Sequence, residues 1–525
     1  MQSYALTLDK FLAHAAKWHS DAEVVTGAGL VGDSTRLTYS DLLDRSNRLS
    51  GALASIGMRK GDRLATLAWN SAAHLECWFA ALGVGISVHT LNPRIDADRL
   101  ADMIRQAADR VLMVSPDQVD VARQLARACP TVERIFVLDE AGNEHPYRSD
   151  GSVPIKPMAD LRERAGVGAI WGGFSEDLEA GLCFTSGTTG APKGVAYTHR
   201  SNYLVTLTLL QADVMGIGAS DSVLAVVPMF HANAWGLPFA APAAGAKLVL
   251  PGRHTDGASL AALIEAEQVT LALGVPTVWL GLIDHLEATG ASLPSLERIV
   301  VGGSSIPQAL MDRIEQRLGV RVQTSWGMTE LSPLGTVSAA RDGRTNSRRS
   351  GRPPVGVDLM LTDAGKVPLP QQRGYEGHLH VRGASAVARY LGQKEPVTDA
   401  AGWFDTGDLA VIDDDGNLTI TGRAKDLIKS GGEWINPGDI EAIVGDLPSV
   451  ALVAVIARAD AKWGERPVLV VELRAGAAVT DAEIGAALEG RVPRWWMPDA
   501  IERVVAMPLA LTGKIDKQAL RARFG

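Results

Sequence analysis

Cysteine is nearly missing from this chain, with three in 525 residues. Cys77, Cys129 and Cys183 are odd in number, widely spaced and each set in apolar sequence, so buried free thiols are expected rather than disulfides or metal ligands. Basic residues are outnumbered by acidic ones, and the net charge of −9 argues against nucleic acid as a partner. An anionic ligand would have to be met by local charge and backbone donors. Uninterrupted hydrophobic runs are absent as well. The longest apolar region, residues 223–250, is broken by His231, Asn233, three prolines and Lys247, which excludes a membrane span. Residues 1–20 carry Asp9, Lys10, Lys17 and two histidines where a secretory leader needs an apolar core, so a cytoplasmic location is expected. The nucleotide pattern G-x-x-x-x-G-K-[ST] is not met by the glycine loop described below, because its lysine is followed by glycine, and this disfavours a P-loop kinase or GTPase.

What is present is a chain that is 46% hydrophobic, enough for a large core and more than one domain. From Thr38, the pattern Thr-x-x-Asp opens a helix expected to run to about residue 56, followed by an apolar run at 63–68 and a helix at 71–82. Strand and helix patterns then alternate at 97–107, 111–114, 118–128 and 134–138, the signature of a mainly parallel βαβ sheet. Residues 139–176 are polar and rich in Gly and Pro, and read as a long surface excursion. A second α/β layer follows, with helices expected at 200–215, 259–267 and 276–285 and a strand at 222–227. From residue 353, short alternating runs, including 377–382 and a hairpin turning at Asp414-Asp415-Gly416-Asn417, predict a small β-barrel or sheet packed on the two layers. Past residue 422 a smaller α+β unit begins: Asn436-Pro437 caps a helix, 450–456 and 468–473 are strands, and 480–488 is a helix. The expected division is a large α/β unit of residues 1–423 and a C-terminal unit of residues 424–525.

The most informative stretch is Phe184-Thr185-Ser186-Gly187-Thr188-Thr189-Gly190-Ala191-Pro192-Lys193-Gly194. Glycines let the backbone approach a ligand closely, hydroxyls donate hydrogen bonds, and Lys193 adds a compact positive charge, which together suit a polyphosphate. A second motif, Val301-Gly302-Gly303-Ser304-Ser305, ends an apolar strand before a helix begun near Pro307, where open α/β sheets bind ligands. In a third, Ser325-Trp326-Gly327-Met328-Thr329-Glu330, the indole can stack on a purine, the threonine hydroxyl can reach a phosphate and the glutamate can hold a divalent cation. A fourth, Trp403-Phe404-Asp405-Thr406-Gly407-Asp408, offers a carboxylate able to accept both hydrogen bonds of a cis-diol, although such an aspartate could equally be a turn residue.

With a fifth segment, residues 421–433, and a sixth, residues 508–517, these motifs stand in the order of the acyl-adenylate-forming enzymes, and the chain resembles that family over residues 181–517. The resemblance implies two layered mainly parallel sheets, a small β-barrel and a mobile α+β C-terminal domain. It implies ATP, Mg²⁺ and coenzyme A as cofactors. By resemblance, ATP or AMP is bound by the loop residues 185–190 and Lys193, by Gly303, Ser304 and Ser305, by residues 325–329, and by Asp408, Ile420, Arg423, Lys429 and Lys514. Thr185 and Glu330 stand nearest the metal, and Lys514 is the adenylation lysine. Ser430, Gly431, Gly432, Glu433 and Trp434 match the turn that lines the coenzyme A tunnel, and Lys425 occupies the hinge.

Within the family, Pro228-Met229-Phe230-His231-Ala232-Asn233-Ala234-Trp235-Gly236 lacks the aspartate that amino-acid-activating domains use, so an apolar acid is expected. Its Phe-His-x-Asn-x-Trp pattern, together with Ser430-Gly431-Gly432-Glu433-Trp434-Ile435, looks most like medium- or long-chain fatty-acid–CoA ligases, in particular the bacterial branch acting on 3-methylmercaptopropionate and similar short acids. The resemblance places His231, Trp235, Gly302, Gly303, Pro307 and Trp326 at the acyl pocket, with His231 also catalytic. If residues 231–235 were helical, His231 and Trp235 would share a face; both could instead be core packing. The expected activity is AMP-forming ligation of a short- to medium-chain acid to coenzyme A, with a homodimer as the expected assembly. A long-chain or aryl acid, a luciferase-like oxygenase and a non-catalytic nucleotide sensor share these motifs. Oxygen consumption with light would reveal the oxygenase, and lack of turnover the sensor.

Overall fold

The computed structural model describes residues 2–138, 153–164, 168–185, 192–339, 346–510 and 513–525. The first sheet has seven strands in the spatial order Ile155–Pro157, Arg134–Val137, Val111–Val114, Arg63–Leu67, Ser87–Leu91, Glu179–Phe184 and Gly194–Thr198. All pairs are parallel except the last, where Glu179–Phe184 and Gly194–Thr198 run antiparallel around the glycine loop. The second sheet has six parallel strands, Arg321–Gly327, Arg298–Val301, Leu271–Gly274, Ser222–Ala225, Lys247–Leu250 and Glu23–Thr26, with an antiparallel strand at each edge, Leu334–Val337 and Thr35–Thr38.

Alternation along each strand builds the layers. Val223 and Ala225 face a core shared by both sheets, while Leu224 and Val226 face the helices on the other side. Val111 and Met113 likewise join the shared core, and Leu112 and Val114 a third cluster. The helix Ala72–Gly83, buried on nearly every side, lies within the shared core with Trp78 and Phe79 against Phe239. Helix starts follow local chemistry: Thr38 with Asp41, and Thr480 with Glu483, form reciprocal capping boxes. All three cysteines are buried and free. Among the described residues no helix is long and apolar enough to cross a membrane.

Three expectations change. Within residues 139–176, the strand Ile155–Pro157 and the helix Met158–Arg164 extend the first sheet; the strand pairs in parallel with Arg134–Val137, its brevity and terminal proline hiding it among polar neighbours. The helix expected at 200–215 is His199–Leu209, because the chain then folds back so that the Gly216 N–H reaches the Gln211 carbonyl. The small β unit is an open four-stranded antiparallel sheet, Val357–Thr362, Glu376–Gly383, Phe404–Ile412 and Leu418–Arg423, rather than a closed barrel. Its apolar face is covered by Cys183, Val195, Tyr197, Trp326 and Leu331, so the first sheet and the strand that carries Trp326 do the work that closure would have done. Its expected turn at Gly416 is present, with φ of 86°.

Residues 428–524 build their own two clusters around a five-stranded sheet. That sheet joins Glu433–Ile435, Ile428–Ser430, Gly464–Leu473 and Val450–Asp460, with Ala500–Val504 parallel to Gly464–Leu473.

Candidate active site

The segments at 184–194, 228–236, 301–305 and 325–330 lie at the carboxyl ends of strands with parallel neighbours, while those at 403–408, 421–433 and 508–517 come from the small antiparallel sheet and the C-terminal unit. Thr185 closes the base of the glycine loop: its N–H donates to the Lys193 carbonyl at 2.9 Å, and its Oγ1 accepts from the Lys193 N–H at 3.3 Å. Ser186, Gly187, Thr188, Thr189 and Gly190 lie outside the described residues. Lys193 holds its ammonium 4.9 Å from the ring centre of Tyr390, and the Tyr390 hydroxyl donates to Glu330 Oε1 at 2.9 Å. Burial, reinforced by Glu330, raises the phenol so that it stays a donor. Glu330 is 8% exposed; its backbone carbonyl accepts from the Val387 N–H and its carboxylate from the Tyr390 hydroxyl. Sequence reasoning missed Tyr390, because nothing in Ala388-Arg389-Tyr390-Leu391 distinguishes it from any strand-edge aromatic.

A second group forms where the small sheet meets the second layer. The Trp326 indole donates to Asp408 Oδ2 at 2.9 Å, and Arg423 Nε meets Asp408 Oδ1 at 2.9 Å. Asp408 is 2% exposed while Arg423 is 45% exposed, so solvent screens the arginine and the buried carboxylate carries the desolvation. Burial raises the Asp408 carboxyl, and Arg423, Trp326, Lys514 and Lys425 oppose that rise. The indole is wedged in place by Gly335, where an added Cβ would fall 2.3 Å from Trp326 Cε3. Gly327 is as constrained, with an added Cβ 2.1 Å from the Pro333 carbonyl oxygen. Met328, Ile420 and Trp326 share the apolar cluster beneath the small sheet, and Thr329 accepts on its carbonyl from Tyr197.

Lys514 reaches this group from the C-terminal unit. Its loop is seated by Gly513, whose carbonyl accepts from Thr277 Oγ1 at 3.2 Å. A Cβ placed on Gly303 would lie 3.6 Å from Lys514 Cε and 3.8 Å from Trp235 Cζ2; one placed on Gly302 would lie 2.4 Å from Ser325 Oγ and 3.0 Å from Trp235 Cη2. The Gly302-Gly303 turn is therefore where Ser325, Trp235 and Lys514 meet; a side chain at Gly302 would collide with Ser325, and Gly303 has a φ of 82° that favours glycine. Burial pulls the Lys514 ammonium down to about 8, with Arg423 adding and Asp408 opposing. Burial and then Lys514 lower His231 to about 4, so the imidazole is neutral at physiological pH. Ser304 and Ser305 are exposed on the outer side of the turn.

His231 and Trp235 do not share a helix face. Residues Ala232, Asn233, Ala234 and Trp235 all have positive φ, between 44° and 56°, and form a left-handed turn. Such a turn costs roughly 1–2 kcal/mol per non-glycine residue and persists because its surroundings fix it. The buried Cys183 thiol meets the Asn233 carboxamide oxygen at 3.7 Å, and Gly236 abuts Leu209.

Pro307, Lys429 and the segment from Ser430 to Trp434 stand outside the group around Asp408 and Lys514 just described. Pro307, expected at the acyl pocket, stands at the start of the helix Gln308–Leu318, where its Cγ is 3.7 Å from a Cβ placed on Gly445. Lys429, expected at the nucleotide, lies on the C-terminal unit with its ammonium 5.6 Å from the ring centre of Trp434. The segment Ser430, Gly431, Gly432, Glu433 and Trp434 is a tight turn in that unit. Gly431 and Gly432 have φ of 61° and 94°, Ser430 Oγ accepts from Arg466, and Trp434 is 53% exposed. Lys425 sits in the short turn Ala424–Asp426 between the small sheet and the C-terminal unit, its ammonium lowered by burial and raised in part by Asp426.

Two stacked α/β layers with a lysine-bearing C-terminal unit closing on their strand ends define the class of adenylate-forming α/β enzymes. Residues 11–391 match the AMP-binding enzyme family and residues 439–514 its C-terminal domain; the chain belongs to this family, in its acyl-CoA synthetase branch. It is 38% identical to a medium-chain-fatty-acid–CoA ligase of Ectopseudomonas oleovorans, covering 100% of this chain and 97% of that one. It is also 38% identical to a 3-methylmercaptopropionyl-CoA ligase of Ruegeria lacuscaerulensis, covering 100% and 98%. Among solved structures, the anthranilate CoA ligase AuaEII in complex with anthranoyl-AMP shares the fold, with a TM-score of 0.88 at 23% identity over 99% of this chain and 98% of that one.

Proposed function

We propose that this protein is an AMP-forming acid–CoA ligase that activates a short- to medium-chain carboxylic acid, a fatty acid or a 3-methylmercaptopropionate-like acid, as an acyl-adenylate and passes the acyl group to coenzyme A. The observation that carries this reading is Lys514, drawn from the C-terminal unit to the Gly303 turn beside Asp408 and His231. An acid held at that turn has the lysine beside the carboxylate oxygen that must attack the α-phosphorus. Lys514 and the loop around Thr185 and Lys193 balance the charge that grows as pyrophosphate departs. Asp408 accepts from the ribose hydroxyls, Trp326 and Arg423 keep its two oxygens ionised and oriented, and the neutral His231 packs against the carboxylate end of the acid.

The residues present fit Mg²⁺. Among the described residues no group of three or more His, Cys, Asp or Glu could cage a metal. An ion here would rest on Glu330, Thr185 and the phosphates of ATP, as Mg²⁺ characteristically does, and would supply charge neutralisation to the polyphosphate. The thioester step needs the coenzyme A thiol where Lys514 now sits. The C-terminal unit, residues 424–525, therefore turns about Lys425 and brings the turn of Ser430 to Trp434 toward the acyl carbonyl. The relatives named above act on medium-chain fatty acids and 3-methylmercaptopropionate, and the Trp235 indole at the Gly302 turn supports a short pocket. A homodimer and a cytoplasmic location complete the proposal and rest on the sequence reading alone.

The test is pyrophosphate release across a panel of acids, with and without coenzyme A. Release that depends on a short or medium acid and turns over only with coenzyme A supports the ligase. Turnover only with long-chain or aryl acids corrects the substrate, oxygen consumption with light identifies an oxygenase, and no release with any acid identifies a sensor.

A further inference from the structure

The helix Gln308–Leu318 starts a few residues after the Gly302-Gly303 turn that meets Lys514. Its N-cap residue is Pro307, which has neither a side-chain acceptor nor an N–H, so the local sequence supplies no cap. The cap comes from the other unit. The Gln308 N–H donates at 3.0 Å to Oδ1 of Asp446, the residue that ends the helix Pro437–Gly445. A carboxylate at that end of a helix is also favoured by the helix dipole. Gly445, one residue earlier, packs beside Pro307, where a Cβ would lie 3.7 Å from Pro307 Cγ, so the end of one helix stands against the start of the other. The Gln308 side chain ties the same corner to its own unit, accepting from the Ser347 N–H at 2.9 Å and donating to Asp312 at 2.7 Å.

We propose that Asp446 is a latch: as the borrowed N-cap of the helix Gln308–Leu318, it holds the C-terminal unit in the orientation that seats Lys514, and it lets go when the unit turns for the thioester step. Asp446 touches no reacting atom and is a positioning residue that acts through Lys514. The Thr277–Gly513 contact fixes the lysine loop; the Asp446–Gln308 contact fixes the unit at a second point, and two separated contacts define an orientation where one does not. Turning about Lys425 moves residues 424–525 as a body and must break the Asp446 bond. The inference rests on the ligase reading and its rotating unit.

The test compares Asp446→Ala, Asp446→Asn, Gln308→Pro and the Asp446→Ala/Gln308→Pro double variant. Proline is tolerated at the first position of a helix and removes only the donor N–H from the backbone. Two half-reactions are read separately: single-turnover adenylate formation from ATP and acid, and thioester formation from chemically prepared acyl-adenylate and coenzyme A. Asp446→Ala should slow adenylate formation about fivefold to tenfold, as a lost helix cap does, while thioester formation is unchanged or faster. Asp446→Asn, which keeps an acceptor oxygen, should recover most of the rate, and the double variant should be no slower than the worse single one. Equal loss in both half-reactions, or additive losses in the double variant, would overturn the latch. Fluorescence transfer between labels on the two units reads the orientation without substrate: Asp446→Ala should lower the docked population, and an unchanged population also overturns the latch. Absence of adenylate formation in the unaltered protein would instead overturn the ligase reading, leaving the transfer measurement to decide the latch.

Discussion

Trp326 and Asp408 are 82 residues apart in sequence, and the indole N–H of one lies 2.9 Å from a carboxylate oxygen of the other in a place nearly closed to solvent. The aromatic that could stack on a purine thus also orients the carboxylate suited to the ribose. Two parts of one ligand would be read by one connected unit.

Replacing Trp326 with Phe keeps the ring and deletes the donor. A buried carboxylate that loses a hydrogen bond costs about 1–3 kcal/mol, so KM for ATP should rise about tenfold or more. Burial already raises the Asp408 carboxyl, and losing the donor raises it further; its ionised fraction then grows with pH. The KM penalty should be larger at pH 6 than at pH 8. A penalty that is absent, or the same at both pH values, would disconnect the indole from the carboxylate.

Lys514 has a folded-state value of about 8, below its ordinary 10.5, because burial penalises its charge. Between those values the undocked lysine binds more protons than the docked one, so docking itself becomes more favourable as pH rises. The cation needed for chemistry is lost over the same rise. The kcat/KM for adenylate formation should therefore fall as pH increases, half-lost near 8, and that limb should vanish in Lys514→Ala. The variant should lose nearly all adenylate formation yet make thioester from supplied acyl-adenylate. Equal loss of both half-reactions would remove the assigned role.

Trp235→Ala opens the wall at the Gly302 turn. Each buried methylene is worth about 0.8 kcal/mol, so room for three more carbons gains on the order of 2 kcal/mol for a longer acid. Short acids should lose affinity because the cavity no longer fits them. Measured across a chain-length series, kcat/KM should shift toward longer acids; a profile merely scaled down, in a folded variant, means that Trp235 does not bound the pocket.

Lys425→Pro fixes φ near −65° in the turn joining the units. Adenylate should accumulate without thioester when ATP, acid and coenzyme A are supplied together. Unchanged thioester turnover would place the pivot elsewhere.

Much of this was legible in the sequence because it is local. The apolar run Val223 to Val226 announced a strand, which the fold buries on both faces, and the Thr38 capping box announced a helix start. The glycine motifs were legible because close approach at Gly302, Gly327 and Gly431 tolerates no side chain. What stayed hidden is long-range or conformational. Asp446 caps a helix 138 residues away, and Tyr390 reaches Glu330 across 60, pairings that no local pattern encodes. The left-handed turn at Ala232 to Trp235 is made by residues that ordinarily avoid it, and it is imposed by Cys183 and Leu209 packing around it. Lys514 could be matched to a motif, but only the fold brings it to Gly303 and Asp408.

The central claim is that a carboxylate oxygen of the acid attacks the α-phosphorus of ATP beside Lys514. It is tested most directly by supplying an acid labelled with ¹⁸O in both carboxylate oxygens and weighing the products after turnover with coenzyme A. One ¹⁸O should appear in AMP and none in pyrophosphate, with one thioester formed per labelled AMP. AMP free of label, or label in a phosphate product other than AMP, would contradict the account.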